Sequence, residues 1–294
     1  MSIKEESLWN GMSSLKRFTL EELPRRIHQF REAASRKKVS RTNGQRGRNP
    51  SAADEDSSVV ASPAKQTTLN QPGSFAPYSV ILGKCDDDLP LTIELTNPAP
   101  GSILITGDSG SGKTRLMQSI LRSAAVLNNP NNMQFYIITQ DPREYEELSL
   151  TPNCQQILPV EETALQGLVL SLLEKAEQFR RSGPKDPTIM LAIDNLAALS
   201  PYLNFELTAA LFRLVRHGPR SRIWIIATLP AESADLVHEK ILEAFRTRLV
   251  GKISSILRAT DITGESSSPA TELVCGTQFC VPVKGEWVEF WIND

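Results

Sequence analysis

From residue 78 onward, short apolar runs alternate with stretches in which apolar residues recur every three or four positions. The runs Tyr78–Leu82 and Leu91–Leu95 flank the acidic turn Asp86-Asp87-Asp88 and predict two strands. Pro98-Ala99-Pro100 leads into a third run, Ser102–Thr106. Lys113–Leu127 then carries Leu116, Ile120, Ala124 and Leu127 at helical spacing, which predicts a helix with one buried face. Gln134–Thr139 predicts a strand, and Thr163–Arg181 a long helix stopped by Gly183-Pro184. Thr188–Ile193 predicts a strand ending at Asp194, Phe205–His217 a helix, and Arg222–Ala227 a strand ending at Thr228. These strands are apolar throughout, as expected of a parallel sheet covered by helices on both faces, an α/β architecture. Leu249–Ile253, Gln278–Val283 and Trp287–Ile292 predict a short β-rich C-terminal part, its last two strands a hairpin.

The first 75 residues lack this texture and form a separate arm, with the folded domain expected over 76–294. Thr19–Ser35 suits a short amphipathic helix, with Thr19 as N-cap and Glu22 completing a capping box. Residues 36–72 are rich in Ser, Lys, Arg, Asn, Gln and Pro and predict a disordered linker. Charge divides along the same line. Residues 1–50 hold 12 Lys/Arg against 5 Asp/Glu, and the remaining residues hold 20 against 29. A basic arm on an acidic body suggests a contact for nucleic acid or a partner protein, or else a solvated tail.

Composition excludes several classes. No stretch approaches 18 consecutive apolar residues, so no transmembrane helix is expected, and no apolar secretory h-region is visible. A cytoplasmic protein is the expectation. Cys85, Cys154, Cys275 and Cys280 form no C-x-x-C pair, and the three histidines are widely separated, so a zinc site has little support.

The specific chemistry lies in Gly107-Asp108-Ser109-Gly110-Ser111-Gly112-Lys113-Thr114, the pattern G-x-x-x-x-G-K-[ST] between a strand and a helix. Its glycines let backbone N–H groups turn inward around a β-phosphate. Lys113 can reach the β- and γ-phosphates, the Thr114 hydroxyl can ligate Mg²⁺, and Arg115 follows as a further nucleotide contact. The helix beginning there adds its positive dipole end. About 80 residues on, Asp194 closes a buried strand where a carboxylate can hold Mg²⁺ through water. Asn195 follows it; an amide can orient an attacking water but cannot take its proton. Glu206 and Asp141 are weak candidates for a base. Thr228 ends the next strand and suits a γ-phosphate sensor.

The order of these segments resembles the motor domain of the FtsK/SpoIIIE-type ATPases, in the FtsK–HerA group, from about Leu91 to the C-terminus. FYIITQDPREYEEL (135–148) resembles that family's strand followed by Asp-Pro-Lys and Glu-Leu. ILPV (157–160) and the helix ending Phe179-Arg180-Arg181 resemble its next two segments. IMLAIDNLAAL (189–199) resembles its Walker B strand, and RIWIIATLP (222–230) its sensor strand. ILEAFRTRLVGKISS (241–255) and ATELVCGTQF (270–279) resemble its last two motifs. The resemblance implies a RecA-like P-loop NTPase core that binds ATP and Mg²⁺, assembles as a ring, usually a hexamer, and threads double-stranded DNA or, in the secretion branch, acts on protein. A cation from the neighbouring subunit would complete each site; Arg216, Arg220 and Arg248 are candidates, and Arg248 matches the arginine of the family's Pro-Thr-Arg. Four residues depart from the pattern. Asn195 replaces a Glu, Leu229 replaces the sensor Gln, and Leu242-Glu243 replace Lys-Ala. Three functions are therefore compatible with the sequence: a DNA translocase, a secretion-type ATPase subunit, and a slowly hydrolysing assembly switch.

Overall fold

The computed structural model describes residues 18–19, 75–183 and 187–292. The expected helix near 19–35 and the basic linker lie outside the described residues, apart from Thr19. The core is the predicted parallel sheet. Strands β4 (Ile103–Gly107), β5 (Met133–Thr139), β6 (Cys154–Pro159), β7 (Thr188–Ile193), β8 (Ile223–Pro230) and β9 (Thr247–Val250) all run parallel, in the order β9-β4-β8-β7-β5-β6. β8 thus separates the strand before the P-loop from the strand carrying Asp194. The central strands β4, β7 and β8 are buried along nearly their whole length, which is why each reads as a continuous apolar run rather than an alternating one.

The C-terminal hairpin joins this sheet instead of forming its own. β10 (Gln278–Val283) pairs antiparallel with β9 and with β11 (Glu286–Trp291). β11 in turn pairs with β2 (Ser79–Lys84), which pairs with β3 (Pro90–Glu94). A two-residue strand β1, Phe18–Thr19, lies parallel to β3 at that edge. Among the described residues the sheet has eleven strands.

Helix α1 (Lys113–Leu127) follows the P-loop and buries Leu116, Ile120 and Ala124 as its spacing predicts; Met117 and Leu121 widen that face, while Leu127 is only half-buried. The β2–β3 hairpin is fastened to this helix by polar bonds. Asn128 Oδ1 accepts from Tyr78 N (2.8 Å), its Nδ2 donates to Ser79 O (2.9 Å), and Ser123 Oγ accepts from Ile81 N (2.9 Å). On the other face, α3 (Glu162–Ser182) and α4 (Phe205–His217) pack over β7 and β8 around Leu165, Val169, Leu172, Leu207, Leu211 and Leu214. Between β5 and α3 lies the short helix α2 (Glu146–Ser149), and α5 (Glu239–Ala244) and α6 (Ile256–Thr263) flank β9. Helices α2 and α5 are too short to show a periodic apolar stripe, and the edge strand β6 carries none. No described helix is long and apolar enough to cross a membrane.

Candidate nucleotide site

The site gathers at the C-terminal ends of β4, β8 and β7, where their parallel register brings three loops together. β4 ends at Gly107, level with Pro230 of β8, and Ile193 of β7 is level with Ala227. The chain then turns through Gly107–Gly112 into α1. Gly110 (φ 79°) and Gly112 (φ 90°) adopt left-handed backbone that other residues resist. At Gly112 a Cβ would also meet the carbonyl oxygen of Gly276 at 2.5 Å, so glycine is required twice over.

Lys113 is buried, and its Nζ donates to the loop's own carbonyls, Gly107 O (3.1 Å) and Asp108 O (2.8 Å). Burial pulls its amine below the ordinary lysine range; the carboxylates of Glu232, Asp108 and Asp194 oppose that shift. Thr114 Oγ1 lies 3.2 Å from Asp194 Oδ1 and 3.3 Å from Oδ2, so the hydroxyl and the strand-end carboxylate expected to share Mg²⁺ are already in contact across 80 residues. This hard-oxygen pair fits Mg²⁺, which is held by few protein oxygens together with phosphate and water. Among the described residues no group of three or more His, Cys, Asp or Glu gathers to hold a metal by itself. A cation here would therefore lean on the nucleotide's phosphates.

Asp194 is tightly held. Thr228 Oγ1 donates to its Oδ1 at 2.7 Å and accepts from Asn195 N at 2.7 Å, so this one hydroxyl bridges β8 and β7. The hydroxyl of fully buried Tyr145 also faces Asp194, and lies 3.5 Å from Met117 Sδ. Burial, and then the Asp194 charge, push that phenol well above its usual range, so it stays a donor. Asn195 sits at φ 67°, and its Nδ2 donates to Gln140 Oε1 (3.1 Å).

The remaining loop residues have distinct duties. Asp108 Oδ2 accepts from Ser254 N (2.7 Å), which ties the P-loop to the segment after β9. Ser109 Oγ donates to Glu232, which lies two residues beyond the end of β8. Ser111 is fully buried, and its hydroxyl has no hydrogen-bond partner. Arg115 Nη1 donates to Gly276 O (3.2 Å), and Cys275 Sγ donates to Gly110 O (3.4 Å). The loop 275–276 therefore lies against the P-loop.

Other sequence candidates stand elsewhere. Arg248 is on β9, its Nη1 donating to Ile262 O (2.8 Å) and Nη2 to Leu242 O (3.1 Å). It borders a cavity of about 800 Å³ lined by Thr106, Leu229, His238 and Asp261. Arg216, stacked over Phe212, and Arg220 precede the start of β8, at the far end of the strands from the P-loop. Asp141 caps its own turn by accepting from Arg143 N (3.0 Å), and Glu206 lies in the first turn of α4. Leu229 is 2% exposed and packs with Leu104 and Ala227 in the core, on the opposite side of β8 from Thr228. Sequence reasoning missed Tyr145, Gln140 and Glu232. Glu232 follows four residues after Thr228, and Tyr145 four residues after Asp141, but neither position carries a motif of its own.

Residues 75–182 match the model of the FtsK/SpoIIIE family. The chain is 26% identical over 173 residues to the ESX-5 secretion system protein EccC5 of Mycobacterium marinum, covering 50% of this chain and 12% of that protein. The Mycobacterium tuberculosis H37Rv counterpart is 24% identical over 196 residues, 58% of this chain and 14% of that one. The chain thus spans about an eighth of the length of the curated relatives it matches. Among solved structures, EssC (ATPases 2 and 3) from Geobacillus thermodenitrificans superposes with a TM-score of 0.63 at 17% identity, over 75% of this chain and 46% of that one. The conjugation coupling protein TcpA of pCW3, solved with ATPγS, gives 0.59 at 18% identity, over 74% and 66%. The cytoplasmic domain of Thermomonospora curvata EccC gives 0.59 at 17% identity, over 73% and 28%. These structural likenesses support the RecA-like fold expected from the sequence. The matched region holds the P-loop, α1 and the Tyr145 segment, and over those residues the chain is similar to the FtsK/SpoIIIE family.

Proposed function

We propose that this chain binds ATP with Mg²⁺ at Gly107–Thr114 and Asp194, hydrolyses it, and works as one subunit of a ring-shaped motor. The contact between Thr114 Oγ1 and Asp194 carries this reading, because it brings the two cation-holding groups together at the mouth of the phosphate loop. Lys113, held at the loop by the carbonyls of Gly107 and Asp108, supplies positive charge to the β- and γ-phosphates. Backbone N–H groups of the loop and the start of α1 add donors that are fixed in place beforehand. Bound Mg²⁺ would neutralise charge developing on the transferred phosphoryl group. Asp194 is oriented for it by Thr228 and Tyr145.

For the polymer that the motor moves, the sequence likeness to ESX-5 secretion proteins supports a polypeptide. Double-stranded DNA is the second reading. It is favoured by the 12 Lys/Arg against 5 Asp/Glu of residues 1–50, which would bind phosphates with a steep salt dependence.

The test is ATP turnover by the wild-type chain and by Lys113→Ala, each alone, with duplex DNA, and with a candidate secretion-signal peptide. Lys113→Ala should weaken Mg²⁺–ATP binding about 10- to 100-fold, through loss of a charge-assisted contact. Stimulation by peptide alone supports the secretion reading, and stimulation by DNA alone the translocase. Tight ATP binding with turnover no greater than that of Lys113→Ala would defeat both motor readings.

A further inference from the structure

Nucleotide hydrolysis needs a group that takes the proton of the attacking water, and neither familiar position supplies one. Asn195 carries an amide, and Leu229 is turned into the core. A carboxylate nevertheless stands at the phosphate loop. Glu232 accepts a hydrogen bond from Ser109 Oγ, and the Ser109 backbone N–H donates to it as well. It is also the foremost charge supporting the ammonium form of Lys113. Ser109 stands within the phosphate loop itself, so its hydrogen bond fixes the carboxylate at the cradle. The sheet explains how it comes there. β8 lies between β4 and β7, with Pro230 level with Gly107, so the residues just past β8 emerge between the P-loop and Asp194.

We infer that Glu232 is the catalytic carboxylate of this site, orienting and deprotonating the water that attacks the γ-phosphorus. This rests on the reading that the loop binds ATP. In the step, the water oxygen forms a bond to the γ-phosphorus as the bond from that phosphorus to the β–γ bridging oxygen breaks. The bridging oxygen leaves with the electron pair on ADP. The water's proton passes to the Glu232 carboxylate and from there to solvent, which regenerates the base. Ser109 acts as a positioning residue by fixing carboxylate oxygen Oε1. The Ser109 hydrogen bond, chiefly, together with the Lys113 charge, draws the Glu232 carboxyl below its ordinary range, so it is ionised at neutral pH. Glu232 is exposed on a 3-10 turn, so replacing it leaves the core untouched.

The experiment is single-turnover hydrolysis of radiolabelled ATP with the full chain in excess, beside equilibrium ATP binding, for wild type, Glu232→Gln, Glu232→Asp and Ser109→Ala. Glu232→Gln should bind Mg²⁺–ATP within about threefold of wild type yet hydrolyse it about 100-fold more slowly or worse, the usual loss for a general base. Glu232→Asp should recover part of the rate, and Ser109→Ala should slow hydrolysis less than Glu232→Gln does. Three results overturn the inference while leaving ATP binding in place. The first is a Glu232→Gln rate within a few-fold of wild type. The second is a variant that binds ATP more than tenfold tighter with unchanged hydrolysis, which would make the carboxylate a competitor of phosphate. The third is a wild type that binds ATP and never cleaves it. A wild type that fails to bind ATP removes the underlying reading, and the inference with it.

Discussion

Thr228 shows how much of this site rests on one hydroxyl. Its proton goes to Asp194 and its lone pair to Asn195 N, so two groups at the tip of β7 depend on a side chain from β8. Thr228→Val keeps the shape and removes both bonds. It should cost about 1–3 kcal/mol for each polar group left unsatisfied, while Thr228→Ser should stay within about 1 kcal/mol of wild type. Urea unfolding measures the difference, and the same pair should rank identically in Mg²⁺–ATP affinity. The Thr228 hydroxyl was legible in the sequence as a polar end to an apolar run, though the sensor role first suggested for it says nothing of its grip on Asp194. Tyr145 was not legible, because its contact with Asp194 depends on how the 142–149 segment folds over α1. Glu232 was hidden for the same reason: its partner Ser109 is 123 residues away.

At the scale of elements, the alternation along β8 decides what its residues can do. Thr228 faces the site, whereas Ala227 and Leu229 face the core under α4. Restoring a Gln at 229 would therefore put an amide in the core, at the wall of the cavity beside Arg248 and on the face of β8 away from Thr228, rather than beside a phosphate. Leu229→Gln should lower stability by about 1–3 kcal/mol and leave turnover no faster. Thermal unfolding and ATP turnover together check this, and faster hydrolysis by a stable variant would show that the 229 side chain reaches the site after all. Interior strands and the long helices were plain from pattern, since burial on both faces gives continuous apolar runs and amphipathic packing gives a helical stripe. β6 was not. It lies at the sheet edge, and its Cys154–Pro159 side chains are all half-buried or exposed, so neither period nor apolarity marks it.

The whole molecule is organised around one loop. α1 leads away from it, the β2–β3 hairpin is bonded to α1, and the 275–276 loop ahead of β10 lies on Gly110 and Gly112. Segments from both ends of the folded domain thus brace the P-loop, while the basic residues of the arm come earlier in the chain. Deleting residues 1–72 should leave ATP affinity within about twofold and weaken binding of DNA or a partner, most at low salt, where charge attraction reaches furthest. Titration of wild type and truncated chain with ATP and with duplex DNA at two salt concentrations tests the separation. The position of Lys113 has a further consequence. Its Nζ is tied to the carbonyls of Gly107 and Asp108, so the loop is stapled across its own turn by the side chain that follows it. Exchanging Lys113 for a neutral residue would therefore remove a mechanical staple together with the charge.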